Sequence, residues 1–533
     1  MISRIIIRGY RRFRSLDIEP IQGMNIVVGD NESGKSTLLE AIALALTNKV
    51  NGRWTRDELN PFWFNVDAVR EFFEKYGTSE QVAPPTIRIE LFLSGDSPDL
   101  QQLRGVYNSR HEDDCPGVVL TIEPDDEFES EFEEYLASDP PRILPVEYYR
   151  VQWRSFADQE LGRQPRALSC AYIDSRTIRS TSGVDHHTRE MLSEYLDSKE
   201  RAQVSVAHRR SKQQITSHTL TGINQRISQD NPDLHDRDIG IQMDQSSRTS
   251  WETGVIPQVE GIPFSMAGQG QQAAIKVALA MSRTVDRSPF VLIEEPENHL
   301  SHTSLSRLAA RIRDLAGEDQ QMFVATHSSF VLNRLGLDRL LLLHNGDTMK
   351  LTDLDDSTVE YFQKLAGYDT LRIALASKVV FVEGPSDELI FQRAFRDAKH
   401  MDPVDAGIDV IAMGGLTAKR ALKLCAALGR RAVVLQDNDG LSVDEVREPV
   451  EQLLEAGKRE MRVSDPTNGP TLEPQLIAAN SEATLRSVLG LRQDANVEKW
   501  MTREKTEAAL RILKSQESIA YPAYITEAID LVA

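Results

Sequence analysis

Apolar positions along this chain fall into short runs separated by polar turns, and most runs are too short to be anything but strands. Ile5-Ile6-Ile7 and Met24-Asn25-Ile26-Val27-Val28 predict two strands, while Thr37-Leu38-Leu39-Glu40-Ala41-Ile42-Ala43-Leu44 has helical spacing. The stretch Thr86-Ile87-Arg88-Ile89-Glu90-Leu91-Phe92-Leu93 alternates and predicts a further strand. From about 95 to 165 the chain is irregular, acidic and proline-containing, which predicts loops and insertions. Roughly 186–230 is polar and helix-permissive, a helical excursion too short for a long coiled-coil arm. A second apolar and helical block runs from about 262 to 345. Thr358-Val359-Glu360-Tyr361-Phe362-Gln363-Lys364-Leu365 then looks helical and leads to a buried strand at Ser377-Lys378-Val379-Val380-Phe381-Val382. Beyond it, Ile408-Asp409-Val410-Ile411, Arg420-Ala421-Leu422-Lys423-Leu424 and Ala432-Val433-Val434-Leu435 alternate strand, helix, strand, which predicts a small parallel α/β domain.

Length and composition narrow the class. With 533 residues the chain exceeds one ordinary core. Hydrophobic residues make up 40% and charged residues 27%, as in soluble globular proteins. No apolar run approaches the roughly 18–20 residues that span a bilayer, and the N-terminus lacks the apolar region of a signal peptide. Cys115, Cys170 and Cys425 are odd in number and widely spaced, so no disulfide framework is expected and a reducing cytoplasm fits. The net charge of −20 lowers the expectation of tight, non-specific DNA coating, but a local basic groove can coexist with it.

Gly29-Asp30-Asn31-Glu32-Ser33-Gly34-Lys35-Ser36 matches a P-loop, placed after a strand and at the start of a helix as the motif requires. Its backbone N–H groups can face phosphates, Lys35 supplies a point charge and Ser36 can hold Mg²⁺. Asn31, Gly34, Lys35, Ser36 and Thr37 are therefore candidate nucleotide contacts. Some 250 residues later, Phe290-Val291-Leu292-Ile293 runs into Glu294-Glu295. Glu294 is assigned to the Mg²⁺ shell and Glu295 to the attacking water. Phe264-Ser265-Met266-Ala267-Gly268 precedes a predicted helix at Ala273–Met281, giving Ser265 and Gly268 as an anion-binding turn. Met322-Phe323-Val324-Ala325-Thr326-His327 is a strand that ends in a candidate γ-phosphate sensor.

This order resembles the ABC-type ATPases of the SMC and RecF kind. The resemblance implies ATP as ligand and a dimer in which the Ser/Gly turn of one subunit closes on the ATP of the other. Asn298-His299-Leu300 would lie at that junction, and Glu90 stands near where the family's Q-loop glutamine is expected.

A second acidic set follows. Val379-Val380-Phe381-Val382 runs into Glu383-Gly384-Pro385-Ser386-Asp387, and Ala432-Val433-Val434-Leu435-Gln436 runs into Asp437-Asn438-Asp439-Gly440. Acids at the C-terminal ends of parallel strands stand where α/β ligand sites lie. In extended backbone Asp437 and Asp439 would face the same way and share one cation. Hard cations prefer such carboxylates, and two ions can clamp the attacking and leaving oxygens of a displacement. Lys419, Arg420, Lys423, Arg430 and Arg431 lie between the two motifs and could contact a phosphate backbone.

This arrangement resembles the TOPRIM domain. The whole chain is similar to the OLD (overcoming lysogenization defect) nucleases, the group that includes the Gabija endonuclease subunit. The likeness extends to Phe362-Gln363-Lys364-Leu365-Ala366-Gly367-Tyr368-Asp369-Thr370 and to Lys505-Thr506-Glu507-Ala508-Ala509-Leu510-Arg511-Ile512-Leu513. It implies that Glu383, Asp387, Asp437, Asp439 and Glu473 hold metal, that Glu383 also takes part in catalysis, and that Lys505 stabilises charge on the scissile phosphate. Mg²⁺ is the expected ion, with Mn²⁺ or Ca²⁺ as alternatives.

The expected architecture is α/β. Residues 1–185 and 236–370 form an ABC/SMC-like ATPase head, 186–235 a helical insertion for dimerisation, and 376–533 a TOPRIM Rossmann-like parallel-sheet domain. The expected function is an ATP-regulated, divalent-metal-dependent DNA endonuclease, cytoplasmic and homo-oligomeric, whose role in bacterial anti-phage defence comes from the resemblance alone. A helicase or reverse transcriptase encoded nearby is a candidate partner. The rival expectation is an ATP-switched DNA-binding clamp or repair sensor with a non-catalytic TOPRIM module.

Overall fold

A computed structural model of the protein describes residues 1–29, 33–50, 53–76, 78, 82–111, 114–137, 143–174, 196–230, 240–246, 251, 255, 258–259, 261–263, 266, 288–298, 300–315, 320–336, 339–344, 347–350, 372–373 and 375–533. The junction stretch 362–370 and the predicted helices at 273–281 and 358–365 lie outside these residues.

Two sheets clasp the P-loop helix, Lys35–Thr47. The first is antiparallel, in the order Phe13–Ile18, Ile2–Tyr10, Ile87–Leu93, Cys115–Pro124, Arg104–Gly105, with Tyr149–Ser155 also paired to Cys115–Pro124. Its register sets Ile7 opposite Ile89 and Ile5 opposite Leu91, and all four are fully buried in the core that holds the helix. The opposite face buries a smaller patch of Ile6, Phe92, Val119 and Phe156. Because sheets cover the helix on more than one side, it has no single apolar stripe: Leu38, Leu39, Ile42, Leu44 and Leu46 are all buried.

The expectation of loops between about 95 and 165 is corrected by Cys115–Pro124 and Tyr149–Ser155. Val118-Val119-Leu120-Thr121-Ile122 is a buried run rich in β-branched residues whose signal the flanking acidic turns diluted. Tyr149–Ser155 buries Tyr149, Trp153 and Ser155 and leaves polar residues between them. Trp153 Nε1 donates to the Ala45 carbonyl at 2.8 Å, which ties this strand to the end of the P-loop helix.

The second sheet runs Cys170–Asp174, Phe290–Glu294, Gln321–Ala325, Met24–Gly29, Leu340–His344, Asp347–Lys350. The first five strands are parallel and the last is antiparallel to its neighbour. Buried on both faces, these strands read as continuous apolar runs. Register places Glu294 opposite Ala325, and Ala325 opposite Val27, so the strand ends that carry the predicted nucleotide residues share one edge. The buried Gln321 side chain locks the two sheets together: Ile2 N–H donates to its Oε1 at 2.6 Å, and its Nε2 donates to the carbonyls of Ile2 and Ile21.

The polar excursion contains a helix at Ser198–Gln214, a π-turn at Ile215–Thr219 and a helix at Thr221–Asp230. Asp197 starts it with a reciprocal capping box with Glu200. The chain returns beside it through Asn224–Ile241 hydrogen bonds and a Lys212 Nζ bond to the Asp244 carbonyl.

The C-terminal sheet is four-stranded and parallel, ordered Ile408–Ala412, Lys378–Val382, Arg431–Gln436, Arg459–Val463. Helix Ala418–Ala427 covers one face, while Pro385–Lys399, Lys505–Lys514 and Ala523–Val532 cover the other. A single buried cluster runs from Ile26, Val324 and Leu342 of the P-loop sheet through Ile373 and Ala376 to Val379 and Phe381. The edge strand Arg459–Val463 was not predicted; it buries only Met461, so its apolar signal is one residue deep.

Candidate functional site

At the P-loop edge, Gly34 caps the helix with φ 101°, a backbone region that glycine enters without strain. A Cβ there would stand 2.6 Å from the Phe13 ring. Lys35 is buried and its Nζ donates to the Gly29 carbonyl at 2.8 Å, folding the charge back over the loop. Ser36 is half-buried and Thr37 buried beneath the first turn. The Ser33 hydroxyl is buried without a hydrogen-bond partner among the described residues, so the loop keeps a polar group that a phosphate oxygen could satisfy. A groove of about 1010 Å³ opens beside Phe13, lined by Arg11, Arg12, Arg14, Phe62 and Trp63.

Glu294 ends its strand almost fully buried, and the Tyr172 hydroxyl on the neighbouring strand donates to its Oε2 at 2.7 Å. Glu295 follows with φ 45°, a left-handed conformation uncommon for a residue with a side chain. Its N–H donates to the Ala325 carbonyl, Asn298 Nδ2 donates to its Oε2 at 2.6 Å, and His327 Nε2 lies 3.6 Å from its Oε1. Glu297, which the sequence did not single out, accepts from the Thr326 hydroxyl at 2.8 Å and from the His327 N–H at 2.7 Å. Asn31, Ser265 and Gly268 lie outside the described residues, as does His299. Glu90 is buried inside the antiparallel sheet, ion-paired with Arg88 and hydrogen-bonded to the Ser109 backbone, so its place in the structure is a sheet anchor.

At the C-terminal sheet, the predicted acids gather at the C-terminal ends of adjacent strands. Glu383 Oε1 accepts from Asp437 N–H at 2.8 Å and from the Gln436 amide. Asp387 sits in the first turn of Pro385–Lys399 and accepts from Gly384 N–H at 3.2 Å. Glu473, 4% exposed, accepts from the Thr471 hydroxyl and is ion-paired to Lys505 Nζ at 3.1 Å. Burial pushes Asp437 up to about 8, with Glu383, Asp387, Glu473 and Asp439 adding to it in that order. Burial, then Glu383, raises Asp387 to about 6, and burial also raises Glu383. These carboxylates thus face one another in a dry setting that disfavours their negative charge.

The expected extended Asp437-Asn438-Asp439 is corrected. Asp439 has φ 47° and is exposed, whereas Asp437 is buried, so the pair does not project as in a strand. The cause is Asn438. Its side chain is fully buried and donates to Ser464 Oγ and the Gly469 carbonyl, both at 2.8 Å, while accepting from Gly440 N–H; this curls the turn. The donor chemistry of the five acids fits a hard divalent cation. As placed, oxygens of Glu383, Asp387 and Glu473 are engaged by Gln436, Thr471, Lys505 and backbone N–H groups, and among the described residues no three His, Cys, Asp or Glu side chains are closed into a metal cage.

Comparison with known proteins accords with this geometry. The family described as "Overcoming lysogenization defect protein-like, TOPRIM domain" matches residues 375–439, which carry Glu383, Asp387, Asp437 and Asp439. AAA domain families match 4–113 and 196–333, around the P-loop and Glu294. Residues 375–439 thus match the OLD-like TOPRIM family, and the chain is similar to OLD-type nucleases. The OLD nuclease of Thermus scotoductus is 30% identical over 200 residues, 34% of this chain and 38% of that protein. Endonuclease GajA of Bacillus cereus is 20% identical over 473 residues, 82% of this chain and 75% of that protein. The chain therefore spans less than half of the first relative's length and about three quarters of the second's. The C-terminal region of the Burkholderia pseudomallei OLD protein is a structural neighbour at 24% identity and TM-score 0.25, covering 30% of this chain and 97% of that one.

In the segment beside the OLD-like TOPRIM match, three residues near the acids had no sequence signal. Gln436 and Asn438 read as ordinary turn-flanking amides, yet one holds Glu383 and the other shapes the Asp437 turn. Tyr524, on helix Ala523–Val532, has a buried hydroxyl without a hydrogen-bond partner among the described residues. Burial and then the four carboxylates Asp437, Asp387, Glu383 and Glu473 push its pKa well above the usual tyrosine value. Of the basic residues between the acidic motifs, Arg430 is buried and Arg431 exposed, so they do not form one face.

Proposed function

We propose that this protein is an ATP-regulated, divalent-metal-dependent DNA endonuclease. The observation that carries the reading is the convergence of Glu383, Asp387, Asp437 and Glu473, all buried or half-buried, on one site with Lys505 beside it, while the exposed Asp439 is close enough to add to the upward shift that burial gives Asp437. Carboxylates disfavoured by burial and, after it, by one another are relieved by a hard cation, and a bound divalent ion polarises a phosphodiester and activates water. Glu383, Asp387, Asp437, Asp439 and Glu473 would hold Mg²⁺, Mn²⁺ or Ca²⁺. Lys505 would face charge on the scissile phosphate. The two relatives, a nuclease and an endonuclease, support the same reaction class.

The N-terminal half, residues 1–185 and 236–370, acts in this reading as the ATP-binding control unit. Lys35, Ser36 and Thr37, with Asn31 and Gly34, would cradle the phosphates; Glu294 would hold the nucleotide's Mg²⁺; Glu295 would orient water; Ser265 and Gly268 of a second subunit would close the site. The buried core shared with residues 376–533 supports coupling between the two halves. Exposed Val206, Ile215 and Ile223 on the excursion, residues 186–235, support its use in a homodimer. The groove with Arg12, Arg14 and the exposed Phe62 offers phosphate contacts and a stacking face to DNA despite the net charge.

Incubating the protein with supercoiled plasmid and Mg²⁺ tests the reaction. Cutting or nicking by the wild type that is lost in Glu383→Ala and Asp437→Ala supports it. An intact plasmid with every divalent metal, with and without ATP, removes it in favour of a DNA-binding clamp. The anti-phage role is tested separately, by plaque counts on cells with and without the gene.

A further inference from the structure

The segment Glu294-Glu295-Pro296-Glu297-Asn298 does more than deliver two acids to the nucleotide edge. Register joins it to the His327 strand, with Glu294 opposite Ala325. Past that last rung and the bond from Glu295 N–H to the Ala325 carbonyl, side chains carry the link between the two segments. Glu297 Oε1 accepts from both the Thr326 hydroxyl, at 2.8 Å, and the His327 N–H, at 2.7 Å. Thr326 is fully buried, and its Oγ1 in turn accepts from Ser328 N–H at 3.0 Å. The next residue, Asn298, holds Glu295 at 2.6 Å. Two adjacent side chains thus fix the two groups whose separation is 3.6 Å, His327 Nε2 and Glu295 Oε1.

We infer that Glu297 is a positioning residue for nucleotide hydrolysis: its carboxylate pins the Thr326-His327 backbone so that the imidazole is held beside Glu295. The inference rests on reading the N-terminal half as an ATPase. A charge-assisted bond to a backbone N–H at the turn fixes the direction of the His327 side chain without touching the ring. The bland alternative is that Glu297 is a turn-stabilising acid whose loss lowers stability and nothing else. The two differ in what they couple to: a positioning residue acts only through His327.

The experiment is steady-state ATP hydrolysis by the full chain, with thermal melting and equilibrium ATP binding measured on the same preparations. Glu297→Ala lowers kcat about 10- to 100-fold, the loss expected for a hydrogen bond to a charged group, with KM for ATP little changed. Glu297→Gln, which keeps an accepting oxygen, recovers most of the rate. Thr326→Val gives a smaller loss. The double variant Glu297→Ala/His327→Ala is no slower than His327→Ala alone, because the carboxylate has nothing left to position. Glu297→Ala at the wild-type rate overturns the inference, as does a double variant whose loss is the product of the two single losses. A wild type that binds no ATP, or binds it and never hydrolyses it while His327→Ala behaves identically, overturns the ATPase reading itself and the inference with it. A normal wild type beside an unaffected Glu297→Ala overturns only the inference.

Discussion

His327 Nε2 lies 3.6 Å from Glu295 Oε1, while Asn298 Nδ2 holds the other oxygen of the same carboxylate at 2.6 Å. Glu295 also has φ 45°, a backbone conformation that persists only where surrounding contacts impose it. Glu295→Gln keeps the size but removes the proton acceptor. ATP hydrolysis is expected to fall about 100-fold or more with ATP binding intact, read by phosphate release and equilibrium binding. Hydrolysis at the wild-type rate would take Glu295 out of that role.

Gly34 shows how tightly the P-loop is built. A methyl group there meets the Phe13 ring at 2.6 Å and a φ of 101°. Gly34→Ala is expected to cost about 1–2 kcal/mol in backbone strain alone, and more for the displaced ring. A lowered melting temperature and weakened ATP binding are the readouts. Adding Phe13→Ala relieves the contact but not the dihedral, so ATP binding stays weak. A Gly34→Ala protein that melts and binds ATP like the wild type would show that the turn can be built another way.

In the C-terminal site the sign of the pH dependence is fixed by burial. Asp437 is raised from 3.8 to about 8, so the folded state holds a proton that the unfolded state releases. That stabilisation is complete below pH 4 and lost as pH rises through 8, the reverse of an ion-paired aspartate. Asp387, raised to about 6, titrates in the same window and is coupled to it. The metal-free protein is expected to lose melting temperature between about pH 5 and pH 8. Asp437→Asn should melt higher than the wild type at pH 8 and show a flatter profile, and Mg²⁺ should restore the wild type at pH 8. Parallel profiles for the two proteins would contradict the burial argument.

Lys505 and Glu473 form a pair of unequal exposure, 47% for the lysine side chain and 5% for the carboxylate. Removing the lysine leaves a buried charge, so Lys505→Ala is expected to destabilise by about 1–3 kcal/mol, less than a fully buried pair because the lysine is half in water. Lys505→Ala/Glu473→Gln should recover that stability and still fail to cut DNA. Recovery of cutting in the double variant would assign Lys505 to stability only.

The parts of the fold that showed in the sequence are those buried on both sides. Phe290–Glu294, Lys378–Val382 and Arg431–Gln436 are parallel strands, so they appear as unbroken apolar runs with acids at their ends. Arg459–Val463 and Tyr149–Ser155 are only half-buried along most of their length, so they were lost among polar residues. In the candidate sites, residues that might touch a ligand stood out by type and spacing. Residues that hold them did not: Glu297 meets Thr326 and His327 only because Glu294 pairs with Ala325. The Asp437 turn was read as extended because the fully buried amide of Asn438, which curls it, looks in sequence like any turn asparagine.

The most direct test is a time course of supercoiled plasmid cleavage in Mg²⁺ by wild type, Asp437→Ala and Lys35→Ala, each with and without ATP. DNA cutting at the carboxylate site under control of the ATP head predicts three results: the wild-type rate changes when ATP is added, Lys35→Ala cuts at a rate that ATP does not alter, and Asp437→Ala cuts under neither condition. Cleavage by Asp437→Ala at the wild-type rate would contradict the account.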